Sequence, residues 1–283
     1  MEKDNIFQAS ANGNLIILKK LLDSHDDINK GDIDGYTLLH WAVQEGQEEV
    51  IKYLVQNGAN VNVEDSLNFT PIEIACTKGH LNIVKFLVSN GANINNSRNG
   101  YTPLHSSVAH GWTDIAKLLI EKGALVNIVD ECGKGYTPLH WACQEGHMEC
   151  VKLLVQSGAS INVKSEEGFS PLYIASSEGY SEIISFLLRN NANVNIVCEG
   201  DLHSTPLFTA SAYNHPETVK ILLDNNADIE AKDSEGKTAL YAAAERKNST
   251  IVEILLSFGA EKNVIDHNNR KLISILQKNN YIN

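Results

Sequence analysis

Short apolar segments alternate with polar, turn-forming segments along the whole chain, and the alternation has a regular period. In one unit the apolar run 151–155 (VKLLV) is followed by Gly158 and Ala159 and then by the polar stretch 163–168 (VKSEEG). Self-similarity at a fixed period of this length is the signature of stacked structural repeats. A TPLH-like run opens each unit, and its Thr or Ser recurs in steps of 33, 32, 35, 33, 35 and 33 residues, at Thr37, Thr70, Thr102, Thr137, Ser170, Thr205 and Thr238.

Each unit carries start and stop signals for two short helices. The marker Thr or Ser supplies a capping oxygen, and the Pro that follows it in most units fits a first helical turn. A Gly or Asn nine positions after the marker predicts the end of that helix, because both residues tolerate a left-handed backbone. The last unit departs from this pattern with Lys247. A second apolar helix follows, and two such helices must stack on neighbouring units to bury their apolar faces.

The best-preserved units read GYTLLHWA at residues 35–42, GYTPLH at 100–105 and GYTPLHWA at 135–142. These runs resemble the signature of the ankyrin repeat, and the resemblance covers nearly the whole chain. It implies an all-α repeat solenoid of stacked ankyrin helix-turn-helix units with β-hairpin finger turns. Residues 1–31 are then an N-terminal capping repeat, residues 32–265 are seven ankyrin repeats, and residues 266–283 are a C-terminal capping helix and tail. We expect one continuous solenoid domain.

Composition narrows the choice of partners. The net charge of -12 and the pI near 5.3 disfavour nucleic acid and anionic membranes, because no basic face is present to neutralise phosphates. The N-terminal residues lack the apolar core of a secretory signal, and no apolar run reaches the length of a membrane span. An odd number of cysteines, five, fits a reducing compartment. We expect a monomer in the cytoplasm, with the nucleus as a further location.

One segment, residues 135–150 (GYTPLHWACQEGHMEC), raises the question of a zinc site. The other units serve as an internal comparison, because a ligand set should be peculiar to one unit. The two Cys positions are small or apolar elsewhere, and the two His positions recur as His in other turns. The spacing also lacks the short ligand pairs of common zinc modules. We predict scaffold roles, no metal and no cofactor for the four residues, His140, Cys143, His147 and Cys150.

A second segment, residues 231–238 (AKDSEGKT), resembles a relaxed phosphate-binding loop. Such a loop follows a buried strand and cradles phosphate with successive backbone N–H groups. Here the preceding residues end a repeat, Gly236 recurs as Gly35, Gly100 and Gly135, and Thr238 is the repeat marker. The sequence therefore favours another repeat turn, and a nucleotide-dependent or metal-dependent enzyme remains only as the distant alternative.

Positions that vary between the units are the candidates for partner binding. In ankyrin repeats such positions lie at the finger tips and on the exposed face of the first helix, which form a concave surface. An aromatic residue precedes five successive markers, and Tyr is a frequent interface anchor, although the same rings could simply cover their own turns. The predicted partner-binding residues are Tyr36, Phe69, Tyr101, Tyr136 and Phe169 at the fingers, Gln44, Glu45, His110, Gln144, Glu145 and Glu178 at the helix ends, and Trp112 at a turn.

The charged residues among these candidates are mainly acidic, so we expect a protein partner with basic and apolar surface. The competing interpretation is an acidic surface that is solvated and only confers solubility. The leading hypothesis is a non-enzymatic scaffold for protein–protein interaction. The alternative is a microbial effector or substrate adaptor that redirects a host protein. The identity of the partner does not follow from the fold class, because one repeat scaffold serves many unrelated functions.

Overall fold

The structure is a computed structural model that describes residues 6–22, 27–131, 133–199 and 203–282. Throughout these residues the regular secondary structure is helical, and β structure is limited to two isolated bridges, Arg98–Tyr101 and Ile265–Lys271. The predicted β-hairpin fingers are therefore tight turns without regular strands. The chain forms two compact units, Met1–Cys132 (unit 1) and Gly133–Asn283 (unit 2).

Unit 1 consists of helix pairs. The first helix of each pair packs on the first helix of the next, and within a pair the two helices contact each other and are joined by a short turn. The helices are α1 Ile6–Ala11, α2 Leu15–Leu21, α3 Leu38–Gln44, α4 Glu48–Gln56, α5 Pro71–Lys78, α6 Leu81–Ser89, α7 Pro103–Ala109 and α8 Thr113–Glu121.

Unit 2 repeats this arrangement and ends with a single helix, α17, which packs on α15. Its helices are α9 Pro138–Gln144, α10 Met148–Gln156, α11 Pro171–Glu178, α12 Ser181–Arg189, α13 Pro206–Ala212, α14 Pro216–Asp224, α15 Ala239–Glu245, α16 Ser249–Ser257 and α17 Leu272–Lys278. We call the segment that leads into each first helix a finger.

The helix starts confirm the capping prediction and explain the His of the TPLH run. At the start of α9 the imidazole Nδ1 of His140 accepts a hydrogen bond from the backbone N–H of Thr137, 3.1 Å away. The other ring nitrogen, Nε2, lies 3.0 Å from the carbonyl oxygen of Phe169 in the next finger. Because Nδ1 is the acceptor, Nε2 carries the proton and donates it. The ring thus caps its own helix and fixes the following finger.

The helix ends confirm the stop signals. The predicted Gly and Asn residues all have a positive φ, between 66° at Asn214 and 78° at Gly179. Lys247, the exception in sequence, adopts the same conformation with a φ of 62°. A lysine pays a steric cost there that glycine avoids. The geometry of the repeat therefore dictates this backbone conformation even where the residue type is unfavourable.

A ladder of asparagine side chains ties successive pairs together at the other end of the repeats. In unit 1, Asn62 accepts a hydrogen bond from the N–H of Asn93 through Oδ1 and donates from Nδ2 to the carbonyl of Gly91. In unit 2, Asn162 makes the same two bonds, to Asn193 and Asn191. Both halves of each amide are used, which favours Asn over Asp at these positions.

The predicted domain boundaries at residues 31 and 265, and the single continuous solenoid, stay predictions. Of the predicted N-terminal capping repeat, residues 1–5 and 23–26 lie outside the described residues, as does residue 283 of the tail. In the described part of the chain, no helix combines the length and apolar character that a bilayer span requires.

Candidate partner-binding site

Aspartate side chains shape the fingers. Asp32 Oδ1 accepts hydrogen bonds from the backbone N–H groups of Asp34 and Tyr36, each 3.0 Å long. Asp65 does the same for Leu67 and Phe69 in the next finger. Such bonds from a side chain to its own following backbone hold a tight turn. Sequence reasoning missed this role, although an Asp five positions before the marker recurs at Asp32, Asp65 and Asp233 and would have indicated it.

Consecutive fingers are also joined backbone to backbone. The N–H of Ser66 donates to the carbonyl of Asp34 over 3.0 Å. A Cβ atom on Gly35, whose φ is 77°, would lie 2.7 Å from Ser66 N. Glycine is therefore required at this position both for its backbone conformation and for the close approach of the next finger.

The five aromatic residues at the finger bases pack onto the first turn of the helix that follows or beneath a neighbouring cation. Tyr36 packs on His40 with the ring planes tilted by 33° and the centroids 5.2 Å apart. Tyr101 stacks on His105 at 5.3 Å, and Phe169 stacks on Tyr173 at 5.0 Å. The guanidinium of Arg98 lies 4.0 Å from the ring centroid of Phe69. These four rings remain half-buried. Packing accounts for one side of each ring, and their role in partner binding stays a prediction.

Tyr136 differs from the other four. Its ring stacks on His140 and is only 6% exposed, and the Lys134 ammonium lies 5.1 Å from the ring centroid. Packing therefore covers most of the Tyr136 ring, and its role in partner binding stays a prediction. The period of the sequence identifies the position but does not reveal that a lysine two residues earlier folds over the ring.

The residue pairs at the ends of the first helices lie next to the fingers. Glu245, at the end of α15, pairs with Lys237 and Arg270 of two fingers, with N–O distances of 3.0 and 2.9 Å. Gln44 holds the matching position in α3 and lines a cavity together with finger residues. The neighbouring positions point outward: Arg246 lies over the ring of Tyr213 at 5.3 Å. The exposed members of this set are Glu45, His110, Glu145 and Glu178, whereas Gln44 and Gln144 are half-buried.

Within each unit, we call the finger tips together with these helix ends the finger–helix face. Trp112 does not belong to it. It lies at the turn between α7 and α8, is 41% exposed, and donates from Nε1 to the carbonyl of Thr77 over 3.3 Å. Its ring covers Gly79, where an added Cβ would meet the indole at 2.6 Å. The structure thus gives Trp112 a packing role, and binding through its exposed part stays a prediction.

The most distinctive feature of the finger–helix face is a cavity of about 380 Å³ between the first two fingers of unit 1. Tyr36 and Trp41 form one wall, with ring centroids 5.4 Å apart and planes inclined by 65°. The indole Nε1 of Trp41 donates to Asp32 Oδ2 over 2.9 Å. The side chains that complete the lining include Asp34, Gln44, Asp65 and Leu67.

The electrostatics of this cavity are negative. Among the residues that the structure describes, Asp32, Asp34 and Asp65 form no ion pair. Burial raises the pKa of the Tyr36 hydroxyl, and the carboxylates of Asp65 and Asp32 raise it further. Tyr36 is therefore neutral at physiological pH, and the wall consists of two neutral rings beside three carboxylates.

The four possible zinc ligands have structural roles or core positions. Cys143 and Cys150 are fully buried in helices α9 and α10, and burial raises the pKa of the Cys143 thiol well above its usual range. A metal ligand or nucleophile needs the thiolate, which this setting disfavours. His140 is the helix cap described above, and His147 precedes α10 at its N-terminus. Across the described chain, no group of three or more His, Cys, Asp or Glu side chains is arranged to hold a metal ion.

The segment that resembles a phosphate-binding loop is a finger of unit 2. Asp233 holds its turn through hydrogen bonds from the N–H groups of Glu235 and Lys237. The Lys237 ammonium pairs with Glu235 and Glu245, and Thr238 caps α15. Thr238 thus has the capping role that the marker residue has in the other repeats, and Lys237 is engaged in ion pairs within the protein.

Comparisons with known proteins agree with this architecture. A family model described as ankyrin repeats (three copies) matches residues 6–98, 65–130, 90–165, 126–198 and 172–266. Among solved structures, the chain is similar to the human ASB11 ankyrin repeat domain, with 31% sequence identity and a TM-score of 0.66 over 73% of this chain and 91% of that chain. A comparison with curated proteins gave no match. With its repeats matched from residue 6 to residue 266, the chain belongs to the ankyrin repeat family.

Proposed function

We propose that the chain is a non-enzymatic scaffold that binds a partner protein through the finger–helix face. Ankyrin repeats are general modules for protein–protein interaction. The observation that carries the proposal is the combination of exposed apolar and acidic side chains at the finger tips of unit 1. Ile33 is 98% exposed and Leu67 is 61% exposed on consecutive fingers, next to the carboxylates of Asp32 and Asp34. Such a surface is complementary to a partner that presents apolar residues flanked by basic ones.

Two further features support a binding role without catalysis. His140 is engaged in a helix cap, Cys143 and Cys150 lie in the core, and the lysine of the segment 231–238 is engaged in ion pairs. In unit 2, Glu145 and Glu178 are both exposed at the ends of first helices, so the finger–helix face of that unit also carries acidic side chains. An effector or adaptor role would use the same face and differs only in what happens to the bound protein.

The test uses charge reversal on two matched pairs of exposed glutamates in unit 2. Glu145→Lys with Glu178→Lys changes the finger–helix face. Glu149→Lys with Glu182→Lys makes the same change in net charge in the first turns of the second helices α10 and α12. A partner captured from a lysate of the source organism, identified and purified, is titrated against both variants.

We expect the first variant to weaken binding about tenfold and the control about twofold or less, because only the first places like charges against a basic partner surface. The loss should shrink at high salt, since exposed charges are screened. Circular dichroism verifies that both variants keep the helical content. Equal losses in the two variants would contradict binding through the finger–helix face.

A further inference from the structure

A second Tyr–Trp ring pair in the same chain indicates what the cavity at Tyr36 and Trp41 binds. Residues 35–41 (GYTLLHW) and 135–141 (GYTPLHW) have the same sequence except for one residue, and their rings are arranged alike. Tyr136 and Trp141 have centroids 5.7 Å apart and planes inclined by 69°, close to the 5.4 Å and 65° of the first pair. The two ring pairs are therefore equivalent in geometry.

The residue one position before the shared Gly differs in charge. In unit 2 it is Lys134, and its ammonium lies 5.1 Å from the Tyr136 centroid and 5.3 Å from the Trp141 centroid. These distances are within the range of a cation–π interaction, so the ring pair of unit 2 holds a cation supplied by the chain itself. In unit 1 the matching residue is Asp34, whose carboxylate cannot make this contact.

Cations on finger-side rings occur elsewhere in the chain as well. Arg98 lies over Phe69, and Lys237 and Arg270 lie 5.6 and 6.0 Å from the Tyr241 centroid. The Tyr36–Trp41 pair instead faces an open cavity edged by Asp32, Asp34 and Asp65. The rings and the carboxylates at this site both attract a positive charge.

We propose that the cavity at Tyr36 and Trp41 is a specificity pocket for a cationic side chain, arginine or lysine, of the partner polypeptide. The side chain enters between the first two fingers, lies on the two rings as Lys134 does in unit 2, and places its charge beside Asp34. The exposed Leu67 at the rim contacts the aliphatic part of the side chain. This inference rests on the proposed function and assigns one recognised residue type to one pocket.

The test follows the indole N–H resonances of Trp41 and Trp141 by NMR during titration with capped tripeptides. The probes are acetyl-Gly-Arg-Gly-amide, its lysine counterpart, and its citrulline counterpart, which keeps the shape of arginine without the charge. We expect a saturable shift of the Trp41 resonance with the two cationic peptides, at least about tenfold weaker for citrulline, and no comparable shift of Trp141. The ratio of the arginine and lysine affinities shows which cation the pocket prefers.

Two substitutions exchange the charged residue at one matching position of the two sites, Asp34 and Lys134. Asp34→Lys should install in unit 1 the arrangement that Lys134 has in unit 2, and should abolish the Trp41 response. Lys134→Asp should make Trp141 responsive. Both positions are exposed, and each new residue already occurs at the equivalent position of the same chain, so both variants should fold; the remaining amide resonances verify this.

An unchanged Trp41 resonance, an equal response to citrulline, or a full response in Asp34→Lys would overturn the pocket. These outcomes are separable from failure of the proposed function, because the glutamate variants test unit 2 with the whole partner. If the peptides fail to bind but the glutamate variants behave as expected, only the pocket is wrong. If the peptides bind but the two glutamate variants lose affinity equally, the finger–helix face is wrong as the main binding surface.

Discussion

Replacement of His140 by alanine should lower the free energy of unfolding by about 3–4 kcal/mol. His140 is completely buried, accepts a hydrogen bond from Thr137 N and donates one to the carbonyl of Phe169. Truncation leaves both backbone groups without this partner and creates a cavity beneath Tyr136, which stacks on the ring. Urea denaturation followed by circular dichroism measures the loss.

His110→Ala is the matched control, because His110 is exposed and its side chain bonds locally to the carbonyl of Ser106, four residues earlier. We expect the control to lose about 0.5 kcal/mol or less. A metal chelator should leave the unfolding of the wild-type protein unchanged. If the chelator lowered wild-type stability to the level of His140→Ala, the capping explanation would be wrong and a metal site would be indicated.

Removal of the Asp266 carboxylate should lower the free energy of unfolding by a similar amount, about 3 kcal/mol. The side chain is 0% exposed and accepts four hydrogen bonds. Oδ1 accepts hydrogen bonds from the backbone N–H groups of Asn268 and Arg270. Oδ2 accepts one from the Tyr241 hydroxyl at 3.0 Å and one from Arg270 Nε at 2.7 Å. Asp266→Ala therefore loosens the last finger and, with it, the docking of α17.

Asp233→Ala provides the comparison, because Asp233 holds an equivalent turn by accepting hydrogen bonds from the backbone N–H groups of Glu235 and Lys237. We expect Asp233→Ala to lose about 1–2 kcal/mol.

The Asp266 carboxylate should also affect how stability depends on pH. Burial would raise the pKa of Asp266, but the hydrogen bonds from Arg270 and Tyr241 outweigh burial and hold the pKa below its usual range. A lowered folded-state pKa adds stability above the unfolded value, near 4, and this stability is lost as pH falls through the lower folded value. Asp266→Asn should lack that part of the acid dependence; the same acid slope in both proteins would contradict the role of the carboxylate.

Sequence reasoning succeeded where one residue type determines one local geometry. Thr137 caps a helix and Gly146 ends that helix with a positive φ, and the repeat pattern alone predicts both roles. The pattern also shows that Lys247 replaces the expected Gly or Asn. It does not show that Lys247 nevertheless adopts the left-handed conformation.

The candidate site was harder to derive because exposure depends on contacts between neighbouring segments. Tyr36 and Tyr136 hold the same position in the repeat, yet one faces a cavity and the other lies under Lys134. In the sequence Asp32 looks like any acidic surface residue. In the structure its carboxylate accepts hydrogen bonds from the backbone of its turn and from the Trp41 indole. The contacts of long side chains and carboxylates depend on which segments are neighbours in the folded structure, and the sequence pattern of one repeat does not specify these contacts.

Site-specific photo-crosslinking of the complex with the captured partner tests the central claim most directly. A benzoylphenylalanine residue is placed at Glu45 or Glu178, at the ends of first helices, and, for comparison, at Glu49 or Glu182, in the first turns of second helices; all four positions are exposed. Binding through the finger–helix face predicts crosslinks to the partner from positions 45 and 178 and none from positions 49 and 182. Crosslinks of equal yield from all four positions, or from 49 and 182 alone, would contradict it.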